Sequence, residues 1–95
     1  MSPRNIVRAE IYVSGRVQHV GFRWFTRNAA GHLGVKCNPI NLRDGRVFVI
    51  AEGKRAAIEL LIKDLWEGPT FANVDNVYYT FMEPTGNMEG SSLQP

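Results

Sequence analysis

Hydrophobic and polar positions along the chain switch between two periods, and each switch marks an element. From Ile6 to Val13 they alternate, with Val7, Ala9, Ile11 and Val13 on one side and Arg8, Glu10 and Tyr12 on the other, which predicts a strand with one face in a core. From Phe22 to Leu33 the spacing becomes helical. Phe22, Phe25, Ala29 and Leu33 form a stripe, Arg27, Asn28 and His32 point away from it, and Gly34 is a fitting stop. Val35 to Leu42 is a weaker strand, and Pro39, which removes a ladder donor, confines it to an edge or a bulge. Asp44-Gly45 signals a hairpin into Arg46 to Glu52, with Val47, Val49 and Ala51 inward and Gly53 as the expected end. Lys54 to Glu67 is helical, with Ala57, Ile58, Leu61 and Leu65 buried, a Glu59–Lys63 pair outside and Gly68-Pro69 as the stop. Val74 to Phe81 is the last strand, with Val77, Tyr79 and Phe81 on one face. The chain reads as a single domain over 1–95, with residues 1–5 and 84–95 as loosely ordered ends and Met88 or Leu93 as anchors of the tail.

The order β-α-β-β-α-β is that of two interleaved βαβ units with right-handed crossovers. It predicts an α+β sandwich, with an antiparallel four-stranded sheet in the order 4-1-3-2 and both helices on one face. The strand that carries Pro39 then falls at an edge, and the two cleanest alternating runs fall in the middle.

Composition narrows the function classes only a little. Ninety-five residues suffice for one modest core. A net charge of +2 is too small to imply nucleic acid, yet does not repel an anionic substrate. The single cysteine, Cys37, leaves no disulfide within the chain. Met1 to Asn5 lacks an apolar signal region and no apolar run is long enough for a bilayer, so the expectation is a soluble cytoplasmic protein with no membrane partner.

The candidate chemistry lies between the first strand and the first helix, in Gly15-Arg16-Val17-Gln18-His19-Val20-Gly21-Phe22-Arg23. A tight loop that ends at a helix start aims free N–H groups at one point, and the positive end of the helix dipole adds to the pull on an anion. Arg23, in the first turn, adds a flat fork of donors that fits phosphate or carboxylate. The loop is not a P-loop, because no Gly-Lys-Ser/Thr closes it. Asn41, at the end of the second strand, both donates and accepts hydrogen bonds and so can hold a water; its plainer role is a turn residue bonded to its own backbone.

With those residues in place, the chain resembles the acylphosphatases from Arg8 to Phe81. The carriers are Gly15 to Arg23, Leu33-Gly34-Val35, Asn41 with Asp44-Gly45-Arg46-Val47, and Ala51-Glu52-Gly53, of which the first stretch is the most specific. The resemblance implies a ferredoxin-like fold and hydrolysis of a carboxyl–phosphate anhydride to a carboxylate and inorganic phosphate. It implies a phosphate cradle of the Gln18, His19, Val20, Gly21 and Phe22 amides with the Arg23 guanidinium, and a water positioned by Asn41. Neither a metal, a cofactor nor a phosphoenzyme belongs to that scheme. The expected partners are a small acyl phosphate and its phosphate product, with no nucleic acid and no second subunit.

The chain departs from the family where His19 replaces a usual loop glycine and where Cys37, Asn38 and Pro39 replace a glycine, an aromatic and an aliphatic. Those departures leave a homologue of weakened activity as an alternative. His19 either supplies a further phosphate donor or faces solvent. Two readings from other classes compete. Cys37 to Arg43 has the Cys-five-Arg spacing of thiolate phosphatases, but it leads into a strand rather than a helix and contains no glycine. Single-stranded RNA-binding modules share the topology and stack bases on sheet aromatics, here Tyr12, Phe48 and Tyr78 beside Ile50, but the chain lacks their third-strand signature. Trp24 is expected as a partly exposed helix residue and Trp66 as a helix-end anchor.

Overall fold

A computed structural model describes residues 6–89. The strands are β1 (Ile6–Arg16), β2 (Lys36–Asn41), β3 (Val47–Lys54) and β4 (Asn73–Met82), and the helices are α1 (Phe22–Leu33) and α2 (Arg55–Glu67). The sheet order is β2-β3-β1-β4, with every neighbouring pair antiparallel, as the element order predicts. β2, with Pro39, is an edge strand. Despite the unusual Cys37-Asn38-Pro39, it pairs with β3 along its whole length, from Lys36 opposite Glu52 to Asn41 opposite Val47.

The core lies between the sheet and the two helices. Ala9, Ile11 and Val13 of β1, Val47, Val49 and Ala51 of β3 and Val77 of β4 meet Phe22 and Ala30 of α1 and Ile58, Leu61, Ile62 and Leu65 of α2. Each fully buried aliphatic or aromatic side chain among them contributes about 1.5–3 kcal/mol. The stripe of α1 is wider than its apolar residues suggest. Thr26 is fully buried because its hydroxyl donates to the Phe22 carbonyl, 2.8 Å away, which leaves only the methyl to pack. Glu59 pairs with Arg55 at 3.4 Å, not with Lys63. Trp66, expected as a helix-end anchor, is 46% exposed and is not part of the buried core. Gly53 does not end β3; it pairs with Val7 and packs against Val35.

β1 runs on past Val13 to Arg16 through an irregularity against β4 at Ser14/Gly15. Gly15 has φ +119°, and a Cβ there would overlap the Asn73 carbonyl oxygen, so only glycine lets β1 reach the loop beside β4.

The second face of the sheet is not open. Phe48 and Ile50 are fully buried, with Phe48 packed on Tyr12 at a ring separation of 4.8 Å. Residues after β4 cross this face. The Asn38 carboxamide donates to the Met88 carbonyl at 2.6 Å, and the Glu52 carboxylate accepts from the amides of Thr85 at 2.9 Å and Gly86 at 3.1 Å. A face for stacking bases would need Phe48 free, so the RNA-binding alternative loses its central ring. Of the ends expected to be loose, 1–5 and 84–95, residues 84–89 make these contacts with the sheet, Met88 among them, while 1–5 and 90–95 with Leu93 lie outside the described residues.

Candidate functional site

The loop between β1 and α1 is held down at Val17, which is 1% exposed, and turns through two left-handed residues, His19 at φ +65° and Gly21 at φ +81°. Histidine tolerates that region better than most side chains, so it can stand where glycine is usual. Gly21 caps α1, and its carbonyl accepts from the Phe25 amide at 2.9 Å. No side chain caps the first turn and no acidic residue lies in it. The first amides of α1 are therefore left for an outside acceptor, with the positive end of the helix dipole behind them.

Asn41 closes β2 and is exposed. The turn that follows is fixed by Leu42 N–H to Arg46 O at 2.8 Å and by Asp44, whose carboxylate accepts from the Arg46 amide at 3.1 Å and guanidinium at 2.8 Å. Those contacts, the Arg46 amide first, hold the Asp44 carboxyl below its ordinary pKa. The loop and this turn are stapled together by Gln18. Its carboxamide donates to Leu42 O at 2.7 Å and to Arg46 O at 2.9 Å.

One cleft of about 260 Å³ results, lined by Val17, His19, Gly21, Phe22, Arg23, Trp24, Arg27 and Asn41. Of the residues singled out from sequence it takes in His19, Gly21, Phe22, Arg23 and Asn41. Gln18 and Val20 lie outside its walls: Gln18 serves as the staple, and Val20 packs against the core. Arg27 and Trp24 are additions. Arg27 points away from the core as expected, but away from the core is toward the cleft. The signal was present in the four-residue spacing from Arg23, which puts both guanidinium groups on one helix face.

Among the described residues neither Arg23 nor Arg27 has a carboxylate at ion-pair distance. The cleft is thus cationic, small and bordered by a carboxamide. Cys37 is not part of it. The thiol sits in β2 opposite Ala51, and burial pushes its pKa up, only partly opposed by the Arg27 charge. That is the wrong direction for a thiolate nucleophile.

A two-layer domain of ferredoxin-like topology, with a cationic cleft where the β1–α1 loop meets the end of β2, is the class that these features define. The family model for acylphosphatase matches residues 9–92. An acylphosphatase of Roseiflexus sp. (strain RS-1) is 39% identical over 89 residues, which cover 94% of this chain and 96% of that one. One from Methanococcoides burtonii is 50% identical over 74 residues, covering 78% and 77% of the two chains. The solved structure of an acylphosphatase from Coxiella burnetii superposes with a TM-score of 0.82 at 35% identity, covering 92% of this chain and 96% of its own. The chain belongs to the acylphosphatase family. That membership carries the enzymatic class with it, hydrolysis of acyl phosphates.

Proposed function

We propose that the protein hydrolyses the carboxyl–phosphate bond of a small acyl phosphate by direct attack of water. Arg23 and the loop amides from Gln18 through Phe22 bind the phosphoryl oxygens, and Asn41 positions the water. The observation that carries this assignment is the meeting of Arg23 and Asn41, from α1 and from β2, on one small cleft. An acyl phosphate departs as a carboxylate, a good leaving group, so the protein need not supply a strong base. Its part is to orient a water and to place donors where negative charge gathers in the transition state.

Support for a route without a phosphoenzyme comes from the lining itself. Its side chains offer no hydroxyl, thiol or carboxylate, and His19 is the one nucleophile among them. Support for metal independence comes from charge: two guanidinium groups on the cleft repel a divalent cation. The same proposal takes the protein as a cytoplasmic monomer acting on a free small molecule, in keeping with an unpaired Cys37. Among the described residues no helix is long and apolar enough to cross a membrane.

The test is release of inorganic phosphate from benzoyl phosphate. Wild type should turn it over, with inorganic phosphate competing and EDTA without effect. Arg23→Ala and Asn41→Ala should each lower kcat/KM by roughly 100-fold, about 3 kcal/mol of transition-state stabilisation. Acid-quenched enzyme should carry no phosphate. Full activity in Arg23→Ala, or phosphate trapped on His19, would refute the scheme.

A further inference from the structure

We infer that Arg27 and the surface beside it on α1 bind the acyl part of the substrate, and that they select acyl groups bearing a second anionic group, a carboxylate or a phosphate. The inference builds on the acyl phosphate chemistry assigned to the cleft above.

Arg27 follows Arg23 by one helical turn, so its side chain is rooted about 6 Å further along the axis. One phosphate held by the loop amides and Arg23 leaves the second guanidinium unused, and that offset suits a ligand with two anionic ends. Arg27 lines the cleft together with Arg23 and Asn41, and among the described residues it has no carboxylate partner.

A free arginine on a helix surface is ordinary, but the ground beside Arg27 is not. Arg27 also borders a second, shallow depression of about 290 Å³, shared with Asn28, Gly31 and His32, so its side chain faces both hollows. Gly31 forms part of the floor. Nothing in the protein lies within 4 Å of where its Cβ would be, so no packing constraint calls for glycine. Glycine there costs the helix about 1 kcal/mol relative to alanine, and what it leaves behind is open surface beside Arg27. His32 is held at the far end by a 2.8 Å contact from Nδ1 to the Asn28 carbonyl oxygen. Trp24, 69% exposed on the wall of the first cleft, offers an apolar face to the body of the acyl group. The first cleft thus sets a phosphate grip, an aromatic face and a guanidinium with no carboxylate partner among the described residues side by side.

The experiment compares benzoyl phosphate with 4-carboxybenzoyl phosphate, which differ only in the distal carboxylate. Wild type should favour the carboxylated substrate by about tenfold in kcat/KM, chiefly through KM, the effect of one partly exposed charge-assisted hydrogen bond. Arg27→Gln should bring that ratio to about one, and Arg27→Lys should retain most of it. Arg55→Gln removes the same charge from α2, distant from the cleft, and should keep the wild-type ratio. Equal hydrolysis of the two substrates by wild type overturns the inference and leaves the acylphosphatase assignment standing. So does an Arg27→Gln loss that is the same for both substrates, or an Arg55→Gln loss as large as that of Arg27→Gln. Hydrolysis of neither by wild type overturns the assignment and the inference together.

Discussion

Gln18 works at the smallest scale on which the site is organised. Its carboxamide spends both N–H groups on carbonyls of the opposite turn, at 2.7 and 2.9 Å. Both carbonyls keep other partners, because Gly45 N–H donates to Leu42 O and Leu42 N–H donates to Arg46 O. Gln18→Ala therefore leaves no buried acceptor unpaired and should cost only about 1 kcal/mol of stability, read from a urea melt. Its larger effect should be on catalysis, since the segments carrying Arg23 and Asn41 lose their tie. kcat should fall by about tenfold or more while the competition constant for inorganic phosphate, which the proposed scheme gives to the loop and Arg23, changes less. A stability loss with unchanged kcat would show that the two segments hold their separation without the staple. Arg23 and Asn41 were legible from sequence because their chemistry is local: a fork of donors after a glycine loop, and an amide before a hairpin turn. The staple and Arg27 were not, because each depends on which distant segment stands opposite, and hydropathy spacing within one element does not report that.

At the scale of elements, α1 has the bounds expected from sequence, Phe22–Leu33, because glycine in the left-handed region stands at both ends: Gly21 at φ +81° and Gly34 at φ +70°. Its buried face, which takes in Thr26 and Ala30, is wider than the apolar spacing predicts. Thr26 counts as polar by type but is apolar in effect once its hydroxyl is bonded to the preceding turn. In the same way β3 alternates inward and outward, yet both of its faces are buried, because a segment far along the chain lies over the outward one. Periodicity tells which residues share a face; it does not tell what covers that face. α1 also carries its own prediction. Gly31 weakens the helix and meets no neighbour, so Gly31→Ala should raise stability by about 0.5–1 kcal/mol, measured as a higher thermal midpoint. A lower midpoint would mean that position 31 carries a constraint that only glycine meets.

For the whole molecule, the two ends of the sheet divide the work. The cleft is at the end where β1 runs into its loop and Asn41 pairs with Val47. At the other end Arg8 faces Glu52 across the β1–β3 pairing. Arg8 is 5% exposed, and its guanidinium donates to Glu52 at 3.1 Å, Glu10 at 3.0 Å, Thr85 Oγ1 at 3.2 Å and Asn87 O at 2.6 Å. Glu52 in turn accepts the Thr85 and Gly86 amides, so one buried ion pair fastens the chain after β4 across the sheet. Burial pushes the Glu52 carboxyl up, but the Thr85 amide, the Arg8 guanidinium and the Gly86 amide together outweigh it and hold the pKa below the ordinary glutamate value. A pKa lower in the folded chain than in the unfolded one adds stability that is complete above the unfolded value, about 4.3. That stability is lost as pH falls through the folded value. Glu52→Gln should therefore cost about 3 kcal/mol at pH 7, by urea denaturation, because Arg8 is left buried with less charge against it. The deficit against wild type should shrink steadily below about pH 4, where wild type loses the same charge. Turnover of benzoyl phosphate under native conditions should be unaltered, because the substitution lies at the end of the sheet remote from the cleft. A deficit that stays constant down to the acid limit would mean that the carboxylate contributes only its shape.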